Sequence, residues 1–345
     1  MIEMKKTLIA LFVLLTLING VMVYRYFSQE ETTPPPPVQE TAPENPVTPI
    51  PEPNKPENYT VSPLPVEYIN YSQIMDLMKK WNSEAPEITE FGEYGKTSKG
   101  TPLTYLRIGT PGQPKVCIHA GIHGNERLSM AATMWMMQKM LHEYGRDAAI
   151  TKLVETRDVY WIPVLSPDTH LSSRHVEGRD PNRDYPYPGR RQHTPTSPIQ
   201  GIMDFCNKMH FTGVISGHTY GTVYFWPSIG PSQDQDAHKK LAREMGDKSG
   251  YRSSRISSSP NGYEIDWYYW TGAVAILTEF GSGTHSQSTA AITEHGQKNY
   301  PAYMHFIEQA PILQKSLSPP GQRATISPVT DPIIPTYEEE EWWRD

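Results

Sequence analysis

The stretch Lys115-Val-Cys-Ile-His-Ala-Gly-Ile-His123-Gly-Asn-Glu126 decides how the rest of the chain is interpreted. It begins as an apolar strand, turns at two glycines and leads into the apolar run 128–140, which is typical of a helix. His123 and Glu126 stand three residues apart at this turn, so both side chains can face one point. Imidazole and carboxylate are ligand types that zinc takes in proteins. The pair alone is weak evidence, because a capping Glu and a surface His produce the same pattern.

Two further residues strengthen the metal hypothesis. A catalytic zinc site needs a third protein ligand and an open position for water, and we expect His218 to be that ligand. Glu279 follows the most apolar predicted strand, and a carboxylate there is costly unless it is paired or used. Beside a metal it could take a proton from the activated water and later pass it to a leaving amine. A salt-bridged or helix-capping Glu is the alternative.

The region from about residue 66 to 313 alternates between helix and strand patterns. This alternation predicts a single α/β domain with a central mixed, mostly parallel β-sheet flanked by helices. In such sheets, ligands gather beyond the carboxyl ends of the strands. His123, His218 and Glu279 each sit just past a predicted strand, so we expect them to meet there. Predicted helices span 71–81, 125–144, 199–209, 237–245 and 288–313, and predicted strands span 88–94, 103–108, 115–119, 158–165, 211–216, 222–226 and 273–278.

A loop between residues 166 and 186 carries several arginines close to one asparagine. Arginine binds carboxylates through two parallel hydrogen bonds, and a neighbouring amide adds a donor. The terminal carboxylate of a peptide is the natural ligand for such a loop. A second arginine near the metal could stabilise the oxyanion that forms when a carbonyl is attacked. An exposed basic loop without a ligand would have the same composition.

Composition restricts the classes of partner. The 345-residue chain has a formal net charge of −7 and no long basic run in its folded part, which argues against a nucleic-acid partner. Cys117 and Cys206 are its only cysteines, and we interpret both as buried thiols rather than a disulfide framework. No Gly-x-Ser-x-Gly pattern occurs, which disfavours a serine hydrolase.

Residues 7–23 form an apolar run that follows two lysines, and Tyr24, Tyr26 and Phe27 extend the predicted membrane span to residue 27 as interfacial anchors. The run is longer than the core of a signal peptide and no Ala-x-Ala cleavage site follows it. We therefore expect an uncleaved transmembrane signal anchor, with a cleaved export signal and a secreted protein as the alternative. The lysines predict that residues 1–6 are cytoplasmic and that the catalytic domain is extracytoplasmic, which makes the chain a single-pass membrane protein.

The two flanking segments have compositions that cannot form a packed core. Residues 28–65 are rich in Pro, Glu, Thr and Asn, and we expect a semi-rigid stalk that holds the domain off the membrane. Residues 314–345 contain a proline-rich part and end in an acidic run with two tryptophans, which predicts a disordered acidic tail.

Four segments occur in the order and rough spacing of zinc metallocarboxypeptidases of the carboxypeptidase A type. They are His123-Gly-Asn-Glu126, Asp180-Pro-Asn-Arg-Asp-Tyr-Pro186, Ser216-Gly-His218-Thr-Tyr220 and Leu277-Thr-Glu279. The resemblance covers about residues 66–313. It implies one zinc ion per chain on His123, Glu126 and His218, which is the His₂Glu set of carboxypeptidase A itself.

The same resemblance implies the other roles. Glu279 is the general base, Arg174 is the electrophile, and Asn182 with Arg183 binds the α-carboxylate of the substrate. Asp180 orients His123, and the Thr219–Tyr220 bond falls where the family has a cis peptide. Arg174 lies one residue closer to the Asp180 segment than in many relatives, which leaves Arg179 as the alternative electrophile.

Some positions depart from the family pattern or compete with it. The family's mobile clamping tyrosine has no clear match, and Tyr251 or Tyr263 could substitute for it. Ile265 and Leu277 fall where relatives set side-chain preference, and both indicate apolar or small terminal residues. His119 is a competing metal ligand, but its place on a strand favours packing within the sheet.

These observations predict a zinc-dependent metallocarboxypeptidase that removes one C-terminal residue from a peptide. A bacterial variant of this function trims peptidoglycan stem peptides at a meso-diaminopimelate bond. An amidohydrolase that deacylates acylated amino acids on the same fold is one alternative. Another is a catalytically idle protein that binds peptide C-termini, which is disfavoured because every residue that hydrolysis requires is present.

Overall fold

One eight-stranded β-sheet forms the centre of the protein. The structure is a computed structural model that describes residues 58–65, 67–186, 193–257 and 262–323. The strands follow the order β1-β2-β4-β3-β5-β8-β6-β7 across the sheet. The four central strands are parallel, whereas β1/β2, β2/β4 and β6/β8 are antiparallel. The predicted mixed, mostly parallel sheet is therefore confirmed. In chain order the strands are β1 (Thr89–Lys96), β2 (Pro102–Gly109), β3 (Lys115–Ala120), β4 (Asp158–Ile162), β5 (Gly213–Thr219), β6 (Val223–Trp226), β7 (Arg252–Arg255) and β8 (Val274–Phe280).

The described residues also form seven α-helices that flank the sheet. Five of them were predicted from the sequence, and α3, α6 and the strand β7 were not. Helix α6 is buried along most of its length and so lacks amphipathic periodicity, while β7 is a short polar edge strand of sequence Arg-Ser-Ser-Arg. The helices are α1 (Tyr71–Glu84), α2 (Arg127–Glu143), α3 (Ala148–Thr156), α4 (Ser197–Met209), α5 (Ser232–Ser249), α6 (Glu264–Thr271) and α7 (Thr289–Gln314).

The two faces of the sheet have different neighbours. On one face, the hydroxyl of Tyr303 in α7 donates to the Thr278 hydroxyl in β8 at 3.1 Å. Successive side chains of a strand point to opposite faces, so Glu279, the next residue, faces away from α7. His218 is the Cα partner of Glu279 in the β5/β8 ladder, and its side chain meets α6. The face that carries α6 is therefore the face of the predicted site.

Strands β5 and β8 run further than the sequence pattern indicated. Both are buried at every residue, and they extend through Thr219 and Phe280. The expectation that His218 and Glu279 sit just past their strands is therefore wrong, because both residues lie inside the hydrogen-bonded ladder. The strands continue beyond their apolar residues because the polar residues that follow are buried as well. Cys117 is buried in β3 as predicted, but Cys206 on α4 is partly exposed, and both thiols are free.

The packed structure begins before residue 66 and ends after residue 313. At the start, Tyr59 and Val61 are buried in the core, and the indole N–H of Trp81 donates to the Ser62 carbonyl at 2.7 Å. At the end, the buried Arg323 guanidinium donates to the Tyr269 carbonyl at 2.8 Å. Residues 58–65 of the predicted stalk and 314–323 of the predicted tail thus pack with the domain.

The remaining predicted segments lie outside the described residues. These are the cytoplasmic N-terminus (1–6), the anchor (7–27), the stalk before residue 58 and the tail after residue 323. Within the part of the chain that the structure describes, no helix is both long and apolar enough to cross a bilayer.

The turn between β3 and α2 leaves no room for a side chain at Gly124. A Cβ atom built there would lie 1.9 Å from the carbonyl oxygen of Thr169, in the loop that follows β4. Because that neighbour is backbone, it cannot rotate away. Gly124 therefore allows the metal-binding turn to lie directly against the loop that leads to Arg174 and Asp180.

We predict that Arg323→Ala lowers the free energy of unfolding by about 2 kcal/mol, because three backbone carbonyls lose a buried cationic donor. Urea unfolding followed by circular dichroism measures the change. Lys315→Ala, which removes an exposed cation from the same segment, is the matched control and should change stability little. Equal effects of the two substitutions would contradict a packed end at Arg323.

Candidate metal centre

Three residues that were predicted to bind metal lie together at the carboxyl edge of the sheet. His123, Glu126 and His218 are buried, and one ligand atom from each lies within 4.8 Å of the others. Glu126 stands between the imidazoles: its Oε1 is 2.7 Å from Nδ1 of His123, and its Oε2 is 3.1 Å from Nδ1 of His218. Both Nδ1 atoms and the carboxylate therefore face a common point, as three protein ligands of a catalytic zinc must.

Local backbone structure holds these side chains in place. His123 and Glu126 lie in the turn between β3 and α2, and Glu126 immediately precedes the first residue of α2. The backbone N–H of Thr219, at the end of β5, donates to Oε2 of Glu126 at 3.1 Å. The bond between Thr219 and Tyr220 is cis, as the resemblance implied. Two strand ends and a helix start thus converge on one carboxylate.

The outer nitrogen of each imidazole faces a second carboxylate. Nε2 of His123 is 3.0 Å from Oδ1 of Asp180, and Nε2 of His218 is 2.6 Å from Oε1 of Glu264. A neutral imidazole carries one N–H, so donation from Nε2 leaves the Nδ1 lone pair directed at the common point. Both histidines are therefore oriented as ligands through Nδ1.

The charges of the centre fit a divalent cation. Burial raises the pKa of the Glu126 carboxyl, but His123 and His218 outweigh it and hold that pKa well below its ordinary value. The pKa of Asp180 and that of Glu264 are also lowered on balance, because the neighbouring imidazoles outweigh the effect of burial. Three carboxylates surround the two imidazoles and Arg174 pairs with two of them, so a divalent cation would add positive charge where buried negative charge is costly. The donor set and its charge both suit zinc.

Arg174 lies at this centre and Arg179 does not. The Arg174 guanidinium is buried, with Nη1 3.6 Å from Oε1 of Glu126 and Nη2 2.9 Å from Oδ2 of Asp180. Arg179 is 40% exposed and pairs instead with Asp184 at 3.1 Å. Of the two candidate electrophiles, only Arg174 has the position that the role requires.

Asn182 and Arg183 are joined to the centre through Asp180. The backbone N–H of Asn182 donates to Oδ1 of Asp180, which also receives Nε2 of His123. The Asn182 side-chain oxygen accepts the backbone N–H of Glu264 at 2.9 Å, and the Arg183 guanidinium lies 4.3 Å from the centre of the Tyr263 ring. The predicted carboxylate-binding pair is thus held in fixed orientation next to the metal ligands.

Glu279 stands beside His218 across two paired strands. It is the Cα partner of His218, and its side chain is 6% exposed. Gly221 packs against it so closely that a Cβ at position 221 would lie 2.9 Å from the Cβ of Glu279. Because paired residues of neighbouring strands project to the same face of a sheet, the Glu279 side chain lies on the face that carries His218.

Glu264 is the one residue of the centre to which the sequence analysis gave no role. It is fully buried and is the first residue of α6, one of the two helices that the pattern did not predict. A signal was present, since a Glu that opens the aromatic run Ile265 to Trp270 is costly to bury unless it has a partner. That signal did not indicate which partner.

The competing ligand and the substitute tyrosines have structural neighbours of their own. His119 packs in the sheet as predicted, with its ring edge-on to Tyr268 at 5.5 Å, and burial lowers its pKa to about 4. Tyr251 is buried, and its hydroxyl lies 2.6 Å from Nδ1 of His295. Tyr263 is buried beneath Arg183. Neither tyrosine has the exposed position that a mobile clamp needs, and Ile265 and Leu277 are buried in α6 and β8.

Comparisons with known proteins agree with this geometry. The family model described as zinc carboxypeptidase matches residues 74–300, well over half of the chain. Human carboxypeptidase A1 is 27% identical over 252 residues, a match that covers 59% of this chain and 60% of the human protein. The chain thus spans about three fifths of the length of the curated relatives that it matches first.

Solved structures show the same fold. Bovine thrombin-activatable fibrinolysis inhibitor superposes with a TM-score of 0.63 at 19% identity, covering 71% of this chain and 98% of that one. Carboxypeptidase A from Helicoverpa armigera gives a TM-score of 0.61 at 16% identity, covering 75% and 76%. The family match, supported by the fold, shows that this chain belongs to the zinc carboxypeptidase family.

Proposed function

We propose that this protein is a zinc-dependent metallocarboxypeptidase that hydrolyses the C-terminal amide bond of peptides. The observation that carries the proposal is the set of side chains around one buried point: two Nδ1 atoms and a carboxylate that face each other, with Arg174 within 3.6 Å of that carboxylate. Glu279 stands beside them in the sheet. Metal-assisted hydrolysis of an amide requires metal ligands, a general base and a positive charge that stabilises the oxyanion, and these side chains supply all three.

His123, Glu126 and His218 hold the zinc ion, with one ion per chain. When bound in such a site, zinc lowers the pKa of a coordinated water and polarises a carbonyl oxygen. Asp180 keeps the imidazole of His123 in the tautomer that offers Nδ1. The protein contributes a buried, negatively charged place with fixed donors.

Glu279 acts as the general base. Its carboxylate takes a proton from the attacking water and passes it to the leaving amine, so that one group serves as base and then as acid. Arg174 places a fixed positive charge next to the ligands, where it stabilises the negative charge that develops on the carbonyl oxygen.

Asn182 and Arg183 bind the α-carboxylate of the last residue of the substrate. The guanidinium offers paired donors that match a carboxylate, and a cation–π contact with the Tyr263 ring restrains its position. Because Asp180 joins this pair to His123, the bound carboxylate lies at a fixed distance from the centre. The enzyme therefore cleaves the bond next to a free C-terminus.

A finer proposal concerns location and natural substrate. The anchor expected at residues 7–27 tethers the domain to a membrane on the extracytoplasmic side. For a bacterial source, this position suits cell-wall stem peptides, and the absence of an exposed clamping tyrosine at 251 or 263 suits a substrate that is gripped differently from a linear peptide.

Purified muropeptides, a panel of linear peptides and a set of N-acylated amino acids distinguish the substrates. We expect release of single C-terminal residues from peptide substrates, measured by mass spectrometry, with muropeptides turned over fastest. Turnover confined to the acylated amino acids would favour the deacylase alternative. Binding of peptides without any turnover would favour the idle binding protein.

We predict that Glu279→Gln lowers kcat by about 1000-fold or more, because the amide cannot accept the proton of the water. Zinc content, measured by atomic absorption, should stay at one ion per chain, since Glu279 is not among the three grouped residues. The chelator-treated wild type sets the background rate. Full activity in Glu279→Gln would show that the base is another residue.

We predict that Arg183→Ala lowers kcat/KM about 100-fold on a peptide with a free C-terminus, because a charge-assisted pair of hydrogen bonds is lost. On the same peptide with an amidated C-terminus, the wild type and the variant should be equally slow. Arg243→Ala, which removes an exposed guanidinium on α5, is the control for net charge. An equal loss on both peptides would argue against recognition of the carboxylate.

A further inference from the structure

We infer that Glu264 is a positioning residue of the metal centre, which holds His218 in its metal-binding orientation and has His119 packed behind it. The inference rests on the proposed zinc site and extends it to three buried side chains that lie in a row. They are His218 on β5, Glu264 at the start of α6 and His119 on β3.

The contact between Glu264 and His218 is short and fully enclosed. Nε2 of the imidazole lies 2.6 Å from Oε1, and neither side chain is more than 1% exposed. On its other side, the same ring presents Nδ1 to Glu126 at 3.1 Å. Since the ring has a carboxylate at each nitrogen, its rotation is restricted and the nitrogen that faces the ligand group is defined.

Each of the two metal-binding histidines has a carboxylate at its Nε2 atom, and the two carboxylates come from different parts of the fold. His123 has Asp180 at Nε2, and His218 has Glu264 at Nε2. The environments of the two carboxylates differ, because Asp180 is 21% exposed and pairs with Arg174, whereas Glu264 is enclosed. Glu264 is therefore stabilised mainly by its hydrogen bond with His218 and by its place at the start of a helix.

His119 supports Glu264 from one row deeper in the sheet. It is the Cα partner of Ser216, which lies two residues before His218 on the same face of β5. Its Nε2 is 3.5 Å from Oε2 of Glu264, the oxygen that His218 does not use, and the two atoms pack against each other without a hydrogen bond. The ring is fixed edge-on against Tyr268, one helical turn after Glu264. Each oxygen of the carboxylate thus faces its own imidazole.

Glu264 also connects the two halves of the site through its backbone. Its N–H donates to the side-chain oxygen of Asn182 at 2.9 Å. A substitution that keeps the size of the side chain leaves this backbone contact intact. Glu264→Gln therefore tests the carboxylate alone, without disturbing the segment that binds the substrate carboxylate.

The test measures zinc affinity of the full chain by competition with a chromophoric chelator. We expect Glu264→Gln to weaken zinc binding 10- to 100-fold, similar to Asp180→Asn, which removes the matching carboxylate behind His123. The cobalt(II)-substituted variant should show an altered visible spectrum, because the ligand field at His218 changes. His119→Gln should give a smaller loss of the same kind.

The matched control is Glu244→Gln. Glu244 lies on α5, and its Oε2 is 3.0 Å from Nε2 of His305, which makes it a Glu–His pair of similar length that is 39% exposed. This substitution should change neither zinc affinity nor the cobalt spectrum. Urea unfolding of the metal-free proteins separates loss of the ligand orientation from loss of the fold, since Glu264→Gln should unfold near the wild-type midpoint.

The outcomes separate this inference from the proposed function. Wild-type protein that binds no zinc would overturn the proposed function. A wild type that binds zinc, with Glu264→Gln unchanged in affinity and in cobalt spectrum, would overturn only the role of Glu264. If Glu264→Gln does not fold, Glu264→Asp decides: the shorter carboxylate should weaken zinc binding, and unchanged affinity would contradict the inference.

Discussion

Parallel pairing of β3, β5 and β8 is the constraint on which the rest of the structure depends. It places the ends of these strands at one edge of the sheet, so that residues almost a hundred positions apart in the chain become neighbours. The register matters as much as the order, because a shift of one residue would move His218 and Glu279 to the face that packs on α7. The positions of the site residues therefore depend on the register of the hydrogen bonds between these strands.

The second constraint is electrostatic. Glu126, Asp180 and Glu264 bring negative charge into a buried edge of the sheet, and the neighbouring imidazoles and Arg174 compensate it. Truncating one member of such a group, rather than replacing it with an amide of the same size, leaves its partner buried and without a hydrogen bond, which usually costs more than the contact contributes. The same residues that serve the chemistry also hold the strand ends and helix starts together. Stability and function are coupled at this edge.

Much of the fold and of the site could be predicted from the sequence. The sequence pattern predicted helices and strands correctly where these elements are amphipathic or wholly apolar. The motifs around His123 and His218 were recognisable from their spacing. The choice between Arg174 and Arg179 needed coordinates, because linear distance from a motif does not tell which side chain turns inward. The same holds for Glu264, whose partner lies 46 residues earlier in the chain. Helix α6 was missed because a buried helix has no polar face to give it a period.

The close contact at Gly124 has a practical meaning for protein engineering. At Gly124 the metal-binding turn lies directly against the backbone of the loop after β4, so the separation there is set by the smallest residue available. Mutagenesis libraries that aim to change what this protein binds should leave codon 124 fixed and vary exposed positions instead. Any bulkier residue at that codon would separate the two loops before selection could act on the substrate pocket.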